Sequence, residues 1–341
     1  MRQAISATRR QIMMNAGKIA MALTAASSEA LLPAIAHGQD NSWPNKPLRM
    51  IVPFAAGSLT DLIARIMSDG FTKALGQPVV VENKPGANGL IGCGEVARSA
   101  PDGYTLLVTN SSSITINPQL YAKSLYKTAD FTPITEIVKS PFILVVNPAW
   151  AQKNKIATLN DLFEFARANP GALSYGSAGP GNVAHLSYAM LSNRAKVQTT
   201  HVPYKGAGLA QMAVLSGEIQ SVFDTWSALP FIQAGKLKAL AVSSNQRMSQ
   251  LPDVPTIEET GMPDFNVTFW IGMVAPAGTP SHIVRKLFAL IQVILDNPQA
   301  RATLNSQGEV VLMDPLAFAK SINHDVPAWA AVIQRENLKL D

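Results

Sequence analysis

The chain has 341 residues, of which 47% are hydrophobic and 15% are charged. This length exceeds the usual single-domain range of about 100–200 residues, and together with the high apolar content it favours two lobes with sizeable cores over a disordered chain. Residues 1–36 carry four basic residues and one acidic residue, which leaves 24 basic and 22 acidic side chains in the remainder. That balance does not support a basic surface for nucleic acid, and we expect no nucleic-acid partner.

The first 36 residues are typical of a cleaved export signal. Arg9 and Arg10 form a twin-arginine-like pair, and Ala34 and Ala36 provide the small-residue pattern that precedes a cleavage site. The alternative is a membrane anchor, but Glu29 interrupts the apolar run, and a spanning helix needs about 20 apolar residues. We therefore expect processing after Ala36.

Short β-branched runs alternate with helical patterns along the mature chain, which is typical of α/β layering. In the first block the predicted strands are 48–52, 79–81, 104–108 and 141–146, and the predicted helices are 60–75 and a second one that follows residues 86–89 and ends near 99. We expect Thr60 or Asp61 to cap the first of these helices. From 159 the alternation restarts, with strands at 173–175, 200–202, 219–224 and 237–242 and helices between them. The last part is mostly helical, and we place chain crossings between the lobes near 141–147 and 266–274.

Three loops rich in glycine and small residues each follow a predicted strand and precede a predicted helix. They are the first loop (53–61), the second loop (175–185) and the third loop (202–208). Small residues let backbone amides approach a ligand, and a helix N-terminus carries a partial positive charge, so such loops attract anions without Lys or Arg. For one such loop alone, ordinary helix capping and tight turns are the better explanation. Three of them, with the serine-rich stretch 110–113, favour an anion site.

The common catalytic and metal-binding patterns are missing from the sequence. Tyr175 stands where a nucleophile elbow needs glycine ahead of Ser177. The five histidines have no metal-ligand spacing, and the single Cys93 provides no zinc pair. We therefore expect no enzyme activity, no metal and no cofactor. The alternative that stays open is a secreted hydrolase that uses Ser177 with His185.

A set of short motifs runs in order through nearly all of the mature chain. They are Val52 through Arg65, Val81 through Ala87, Pro101 through Leu106, Gly176 through Leu186, His201 through Gly206, Leu251 through Thr256 and Ala275 through Pro280. In this order they resemble the substrate-binding receptors of the tripartite tricarboxylate transporter, the Bug family. Ser58 departs from the family pattern because a second glycine is usual there, and Leu59 stands where a small residue is common.

The resemblance implies a type II periplasmic-binding-protein fold, with two α/β lobes joined by crossing strands and a ligand cleft between them. The implied lobes are 45–142 with 270–341, and 143–269. It also implies a monomeric periplasmic receptor that captures a small carboxylate and delivers it to permease subunits in the membrane through transient contacts. A ligand sensor that passes the solute to a signalling partner is the second alternative.

The resemblance also supplies the candidate ligand-binding residues. The family's first and second loops hold the carboxylate, largely through backbone amides, hydroxyls and water. On this chain the candidates are Phe54, Gly57, Ser58, Thr60 and Asp61 in the first loop, Ser177, Ala178, Gly179, Asn182 and His185 in the second, and Asn110, Ser111 and Asp224 for the rest of the ligand.

Overall fold

Two β-sheets organise the part of the chain that the structure describes. This computed structural model describes residues 43–335 and residue 338. The predicted export signal, with its processing site after Ala36, lies outside the described residues. From Pro44 onward the chain forms one compact unit.

Strands and helices alternate as expected for an α/β protein. In chain order the strands are β1 (Leu48–Val52), β2 (Val79–Asn83), β3 (Thr105–Asn110), β4 (Phe131–Pro141), β5 (Ile143–Val146), β6 (Leu173–Ser177), β7 (Thr199–Pro203), β8 (Ser221–Asp224), β9 (Lys238–Val242), β10 (Thr268–Pro276) and β11 (Glu309–Val310). The helices are α1 (Leu59–Leu75), α2 (Leu90–Ala97), α3 (Asn117–Leu120), α4 (Pro148–Lys153), α5 (Leu159–Ala168), α6 (Val183–Arg194), α7 (Ala207–Ser216), α8 (Leu229–Gln233), α9 (Ser281–Leu295), α10 (Pro298–Asn305) and α11 (Pro315–Arg335). A π-helical segment, Ser112–Ile116, precedes α3.

The first sheet has six strands in the order β11-β4-β10-β3-β1-β2, and the second has five in the order β7-β6-β8-β5-β9. Strands β1, β2 and β3 are parallel, as are β6, β7 and β8. Strand β10 runs antiparallel to β3 and β4, and β5 runs antiparallel to β8 and β9. The predicted α/β fold with two sheets is thus confirmed.

Helix α1 illustrates how the sequence builds these layers. Ile63, Met67 and Phe71 recur every four residues and are buried, so one face of the helix packs against the first sheet. Gly76 ends the helix with φ +67°, a left-handed conformation that glycine adopts without steric cost. The apolar spacing and the glycine therefore set both the packing face and the end of α1.

The strand directions place the carboxyl edges of the two sheets opposite each other. Ile143, the first residue of β5, pairs with Asp224 and Val242, which end β8 and β9. Only Phe142 separates β5 from the end of β4 in the first sheet. The loops that follow the parallel strands of both sheets consequently face each other across this crossing.

Ser243 hydrogen-bonds the two segments in which the chain passes from one sheet to the other. Its Oγ accepts a hydrogen bond from Phe142 N at 2.8 Å and donates one to Val267 O at 2.5 Å. Its backbone bonds the same two residues, through Ser243 N to Phe142 O and Val267 N to Ser243 O. One fully buried serine therefore holds the outgoing and returning segments side by side.

Helix α11 packs against the hydrophobic clusters of both sheets. Phe318 and Ile322, near its start, belong to the cluster under the first sheet. Trp329, Val332 and Ile333, near its end, belong to the cluster that contains the strands of the second sheet. Within residues 43–335, no helix is long and apolar enough to cross a membrane.

Candidate functional site

The segments predicted to bind ligand lie at the facing carboxyl edges of the two sheets. The first loop follows β1 and the Asn110–Ser113 corner follows β3, whereas Ser177 ends β6 and Asp224 ends β8. One hydrogen bond joins the two sides directly, because Val183 N at the start of α6 donates to Ser112 Oγ at 3.1 Å. In open α/β sheets, ligands bind at such edges.

Asp61 fixes the shape of the first loop. One oxygen accepts hydrogen bonds from Gly57 N at 2.9 Å and Arg65 Nε at 3.0 Å, and the other accepts from Asn83 Nδ2 at 3.0 Å. Its backbone N–H donates to Ser58 Oγ at 3.3 Å, so Ser58 is the N-cap of α1. Burial acts to raise the pKa of Asp61, but the hydrogen bonds from Arg65, Gly57 and Asn83 outweigh it and hold that pKa below its ordinary value. Asp61 is thus an ionised internal anchor.

The rest of the first loop divides into a buried base and an exposed tip. Phe54 is half-buried, and its carbonyl accepts a hydrogen bond from Asn83 Nδ2 at 3.1 Å. Thr60 is buried, whereas residues 55–57 are exposed. Gly57 has φ +81°, which a side chain would strain. The exposed backbone at the tip is therefore available to a ligand in the cleft.

The corner after β3 carries a buried hydroxyl that no described group satisfies. Asn110 Oδ1 accepts from Ser113 N at 3.2 Å, and this bond shapes the corner. Ser111 is 1% exposed, and among the described residues its Oγ has no hydrogen-bond partner. Leaving a buried polar group unsatisfied costs about 1–3 kcal/mol. The π-helical segment that follows is a geometry often found at functional sites.

Hydrogen bonds around Ser177 and Asn182 close the second loop. Ser177 Oγ lies 2.7 Å from His201 Nε2, accepts from Gly179 N at 3.2 Å and is 3.0 Å from Gly179 O. Asn182 Oδ1 caps α6 by accepting from His185 N at 3.0 Å, and its Nδ2 donates to Gly179 O at 2.7 Å. Ser177 and Asn182 are buried, whereas Ala178 is exposed. The side chains therefore shape the loop, and its exposed stretch lies between them.

Two histidines stack behind the second loop. The rings of His185 and His201 are 3.8 Å apart and 12° from parallel, and Gly181 N donates to His185 Nδ1 at 3.0 Å. Burial lowers the pKa of His185 to about 3, with a further contribution from His201, and burial lowers the pKa of His201 to about 4. Both rings are therefore neutral near pH 7. The sequence-based prediction omitted His201; its signal was its place in the motif His201 through Gly206.

Asp224 is committed to internal contacts. Its Oδ2 accepts from Gln211 Nε2 at 2.7 Å, and its Oδ1 accepts from Thr225 N at 2.8 Å and Ser227 Oγ at 2.9 Å. Burial raises the pKa of Asp224, and these hydrogen bonds only partly offset that effect. Like Asp61, Asp224 shapes the backbone beside the cleft and presents no free carboxylate to it.

An open groove of about 620 Å³ lies beside the crossing strands. Lys139, Trp226 and residues 244–250 belong to its lining, and no predicted ligand-binding residue does. We place the candidate site in the loops instead, because the buried hydroxyl of Ser111 lies there, next to the contact between Ser112 and the N-terminus of α6. Within the described chain, no group of three or more His, Cys, Asp or Glu side chains is placed to hold a metal ion.

Residues 63–338 match the model of the tripartite tricarboxylate transporter family receptor. The chain belongs to this family. Protein BugT of Bordetella pertussis is 34% identical over 304 residues, which cover 88% of this chain and 92% of BugT. The resemblance to Bug receptors found in the sequence is therefore confirmed.

Solved structures of similar proteins share the receptor fold. The periplasmic binding protein BugD is 34% identical with a TM-score of 0.76, covering 87% of this chain and 99% of BugD. MatC from Rhodopseudomonas palustris with bound malate is 32% identical with a TM-score of 0.76, and the match covers 85% of this chain and 100% of MatC. Rpa4515 of R. palustris with adipate is 28% identical with a TM-score of 0.78, and the match covers 87% of this chain and 99% of Rpa4515. The type II periplasmic-binding-protein fold is thus confirmed.

Membership of this receptor family settles the question of enzyme activity. These receptors bind solutes and are not enzymes, so the interpretation as a hydrolase that uses Ser177 with His185 is wrong. The structure pairs Ser177 with His201 instead, at a distance typical of a nucleophile and its base. Burial lowers the pKa of His201 to about 4, which makes it a weak base for activating a nucleophile. This pair therefore holds a loop in a receptor.

Proposed function

We propose that this receptor is exported to the periplasm, captures a small carboxylate between its two lobes and delivers it to a tripartite-type permease in the membrane. The lobes are residues 45–142 with 270–341, and residues 143–269. The protein acts as a monomer after removal of residues 1–36, and its contact with the permease is transient. MatC with malate and Rpa4515 with adipate support the choice of a carboxylate.

The charge of the cleft supports an anion held without a cationic side chain. The first and second loops contain no Lys or Arg. Helices α1 and α6 begin directly after these loops, and the partial positive charge of their N-termini attracts negative charge. A carboxylate held between them would contact both lobes, so binding favours the closed arrangement.

The candidate residues divide into two roles under this proposal. Those that hold the loops are Asp61, Asn110, Ser177, Asn182, His185 and Asp224, since their polar atoms bond neighbouring backbone or side chains. Those that border the ligand are Phe54, Gly57, Ser58, Thr60, Ser111, Ala178 and Gly179.

The unpartnered hydroxyl of Ser111 is the single observation that carries the proposal. It is buried at the facing edges of the sheets, next to the Ser112–Val183 hydrogen bond that joins them. The Ser111 hydroxyl can donate a hydrogen bond there, and a carboxylate oxygen supplies the acceptor. A hydrogen bond to a charged group contributes about 1.5–3 kcal/mol, which is about ten- to a hundredfold in affinity.

Calorimetry with malate, adipate and the uncharged malate diamide tests the proposal. We expect at least one of the two acids to bind and the diamide not to bind. Ser111→Ala should lower the affinity for that acid about ten- to a hundredfold. Ser187→Ala is the matched control, because Ser187 Oγ on α6 is also buried without a partner in the described chain. We expect it to leave the affinity unchanged.

Equal binding of an acid and the diamide would contradict a carboxylate receptor. Equal losses in Ser111→Ala and Ser187→Ala would show that Ser111 acts only through packing. Delivery is tested by uptake of the bound acid into cells that carry the permease but lack this receptor. Restored uptake on adding the gene for the receptor supports delivery, and unchanged uptake would exclude it.

A further inference from the structure

The second loop is held by the two stacked histidines. His201 Nε2 is 2.7 Å from Ser177 Oγ, which accepts from Gly179 N, and His185 Nδ1 accepts from Gly181 N. The two rings stack at 3.8 Å. Each ring therefore reaches one glycine of the loop, His185 directly and His201 through Ser177.

The contact of His185 with the second loop requires an uncharged ring. Because Gly181 N–H points at His185 Nδ1, that nitrogen carries no proton, and a proton there would replace an attraction by a repulsion. A charge on either ring would also lie 3.8 Å from the other ring in a partly buried place. Burial accordingly depresses the pKa of both histidines.

The surroundings offer no compensating charge. Tyr175 of β6 lies 5.1 Å from His201 and stacks at 3.9 Å on Tyr188 of α6, which is fully buried. Burial raises the pKa of Tyr188, so it is neutral as well. Among the described residues, no carboxylate forms an ion pair with either histidine.

We propose that His201 is a positioning residue of the ligand site, and that the His185–His201 pair stays uncharged and so keeps the second loop's contribution to ligand binding independent of pH between about pH 5 and pH 8. An isolated histidine changes charge within that interval. Mutual stacking and burial prevent this change, and the loop keeps one conformation. This inference rests on the proposed binding of a ligand by the second loop.

Removing one ring should make binding sensitive to acid. In His185→Ala, His201 loses the ring that covers it, gains water and becomes protonated within the interval, which disturbs Ser177 and Gly179. We expect the affinity for malate or adipate to fall at least about fivefold more from pH 8 to pH 5.5 than in the unchanged protein. The ligand's own protonation cancels in this ratio because it is the same for both proteins.

His201→Phe separates positioning from protonation. Phenylalanine keeps a stacked ring but has neither a hydrogen bond to Ser177 nor a titrating group. We expect a uniform loss of about two- to tenfold in affinity at every pH. His282→Ala is the matched control, since His282 is exposed at the start of α9. It should change neither the affinity nor its pH dependence.

Imidazole ¹⁵N spectra without ligand provide the second readout. We expect His185 and His201 to remain neutral down to about pH 5 in the unchanged protein, and His201 to become protonated above that pH in His185→Ala. Protonation of either ring above pH 5 in the unchanged protein would overturn the inference, as would a flat pH profile in His185→Ala. If neither acid binds, the proposed ligand class fails, while the spectra still decide whether the pair is uncharged.

Discussion

Asp61 is the residue whose negative charge we expect to matter most for the first loop. In Asp61→Asn, the bonds from Gly57 N and Arg65 Nε lose their charged acceptor, so the free energy of unfolding at pH 7 should fall by about 1–3 kcal/mol. The folded-state pKa of Asp61 lies below its ordinary value, so the stabilisation is present above the unfolded pKa and is lost as pH falls through the folded one. Urea unfolding of the unchanged protein and of Asp61→Asn should therefore show a difference in the free energy of unfolding that becomes smaller from pH 7 towards about pH 3.

Arg65→Ala separates the loop contact from the ion pair. The side chain of Arg65 is 54% exposed, and an exposed ion pair contributes less than about 1 kcal/mol. We expect a clearly smaller loss than in Asp61→Asn. If Arg65→Ala and Asp61→Asn lowered the free energy of unfolding equally, the ion pair, and not the bond to the Gly57 backbone, would be the main contribution of Asp61 to stability.

Local sequence signals predicted some residues of the candidate site and omitted His201. Glycine and serine content located the loops, and capping rules explain Asn182, whose side chain accepts from His185 N. The predicted cap of α1 was wrong: the helix begins earlier, so Ser58 is the cap and Asp61 lies three residues inside. His201 was missed because its contact with Ser177 spans 24 residues between neighbouring parallel strands. Capping is local, whereas such contacts depend on strand order.

At the scale of elements, β4 shows where periodicity fails. The sequence predicted a strand only from 141, yet β4 extends over Phe131–Pro141. Pairing with β10 shifts register twice, and these irregularities leave Ile134 and Ile137 without a partner. Each of these unpaired residues reverses the alternation of inward and outward side chains along β4. The sequence therefore lacks the continuous alternation of apolar and polar residues by which a strand is recognised.

Ser243 should control the stability of the crossing between the sheets. Ser243→Ala removes the hydroxyl that bonds Phe142 N and Val267 O, and leaves both backbone groups without that partner. We expect the free energy of unfolding to fall by about 1–3 kcal/mol in urea titrations. Ser244→Ala is the control, because Ser244 Oγ bonds only the nearby Gln246 O. If Ser244→Ala lowered the free energy of unfolding as much as Ser243→Ala, the hydrogen bonds of Ser243 at the crossing would not be the cause of the loss.

For the whole molecule, composition and the alternation of strand and helix patterns predicted an α/β protein with two lobes. They did not predict the order of the strands in each sheet. That order puts β10, from late in the chain, between β3 and β4. It is set by contacts between distant residues, which no local pattern records. The ordered motifs supplied this information instead, because a family resemblance carries its fold. Facing carboxyl edges, and hence a cleft, follow from that topology.

The hydrogen bond between Ser112 Oγ and Val183 N should favour the closed arrangement before any ligand binds, because it joins the two sides of the cleft directly. In Ser112→Ala we expect a larger radius of gyration by small-angle X-ray scattering without ligand. We also expect about two- to tenfold weaker binding of malate or adipate, since less of the protein is in the binding-competent arrangement. Saturating ligand should restore the radius. Ser99→Ala, which removes only a bond to Glu95 O in the adjacent turn, is the control. An unchanged radius with weakened binding would show that Ser112 acts on the ligand alone.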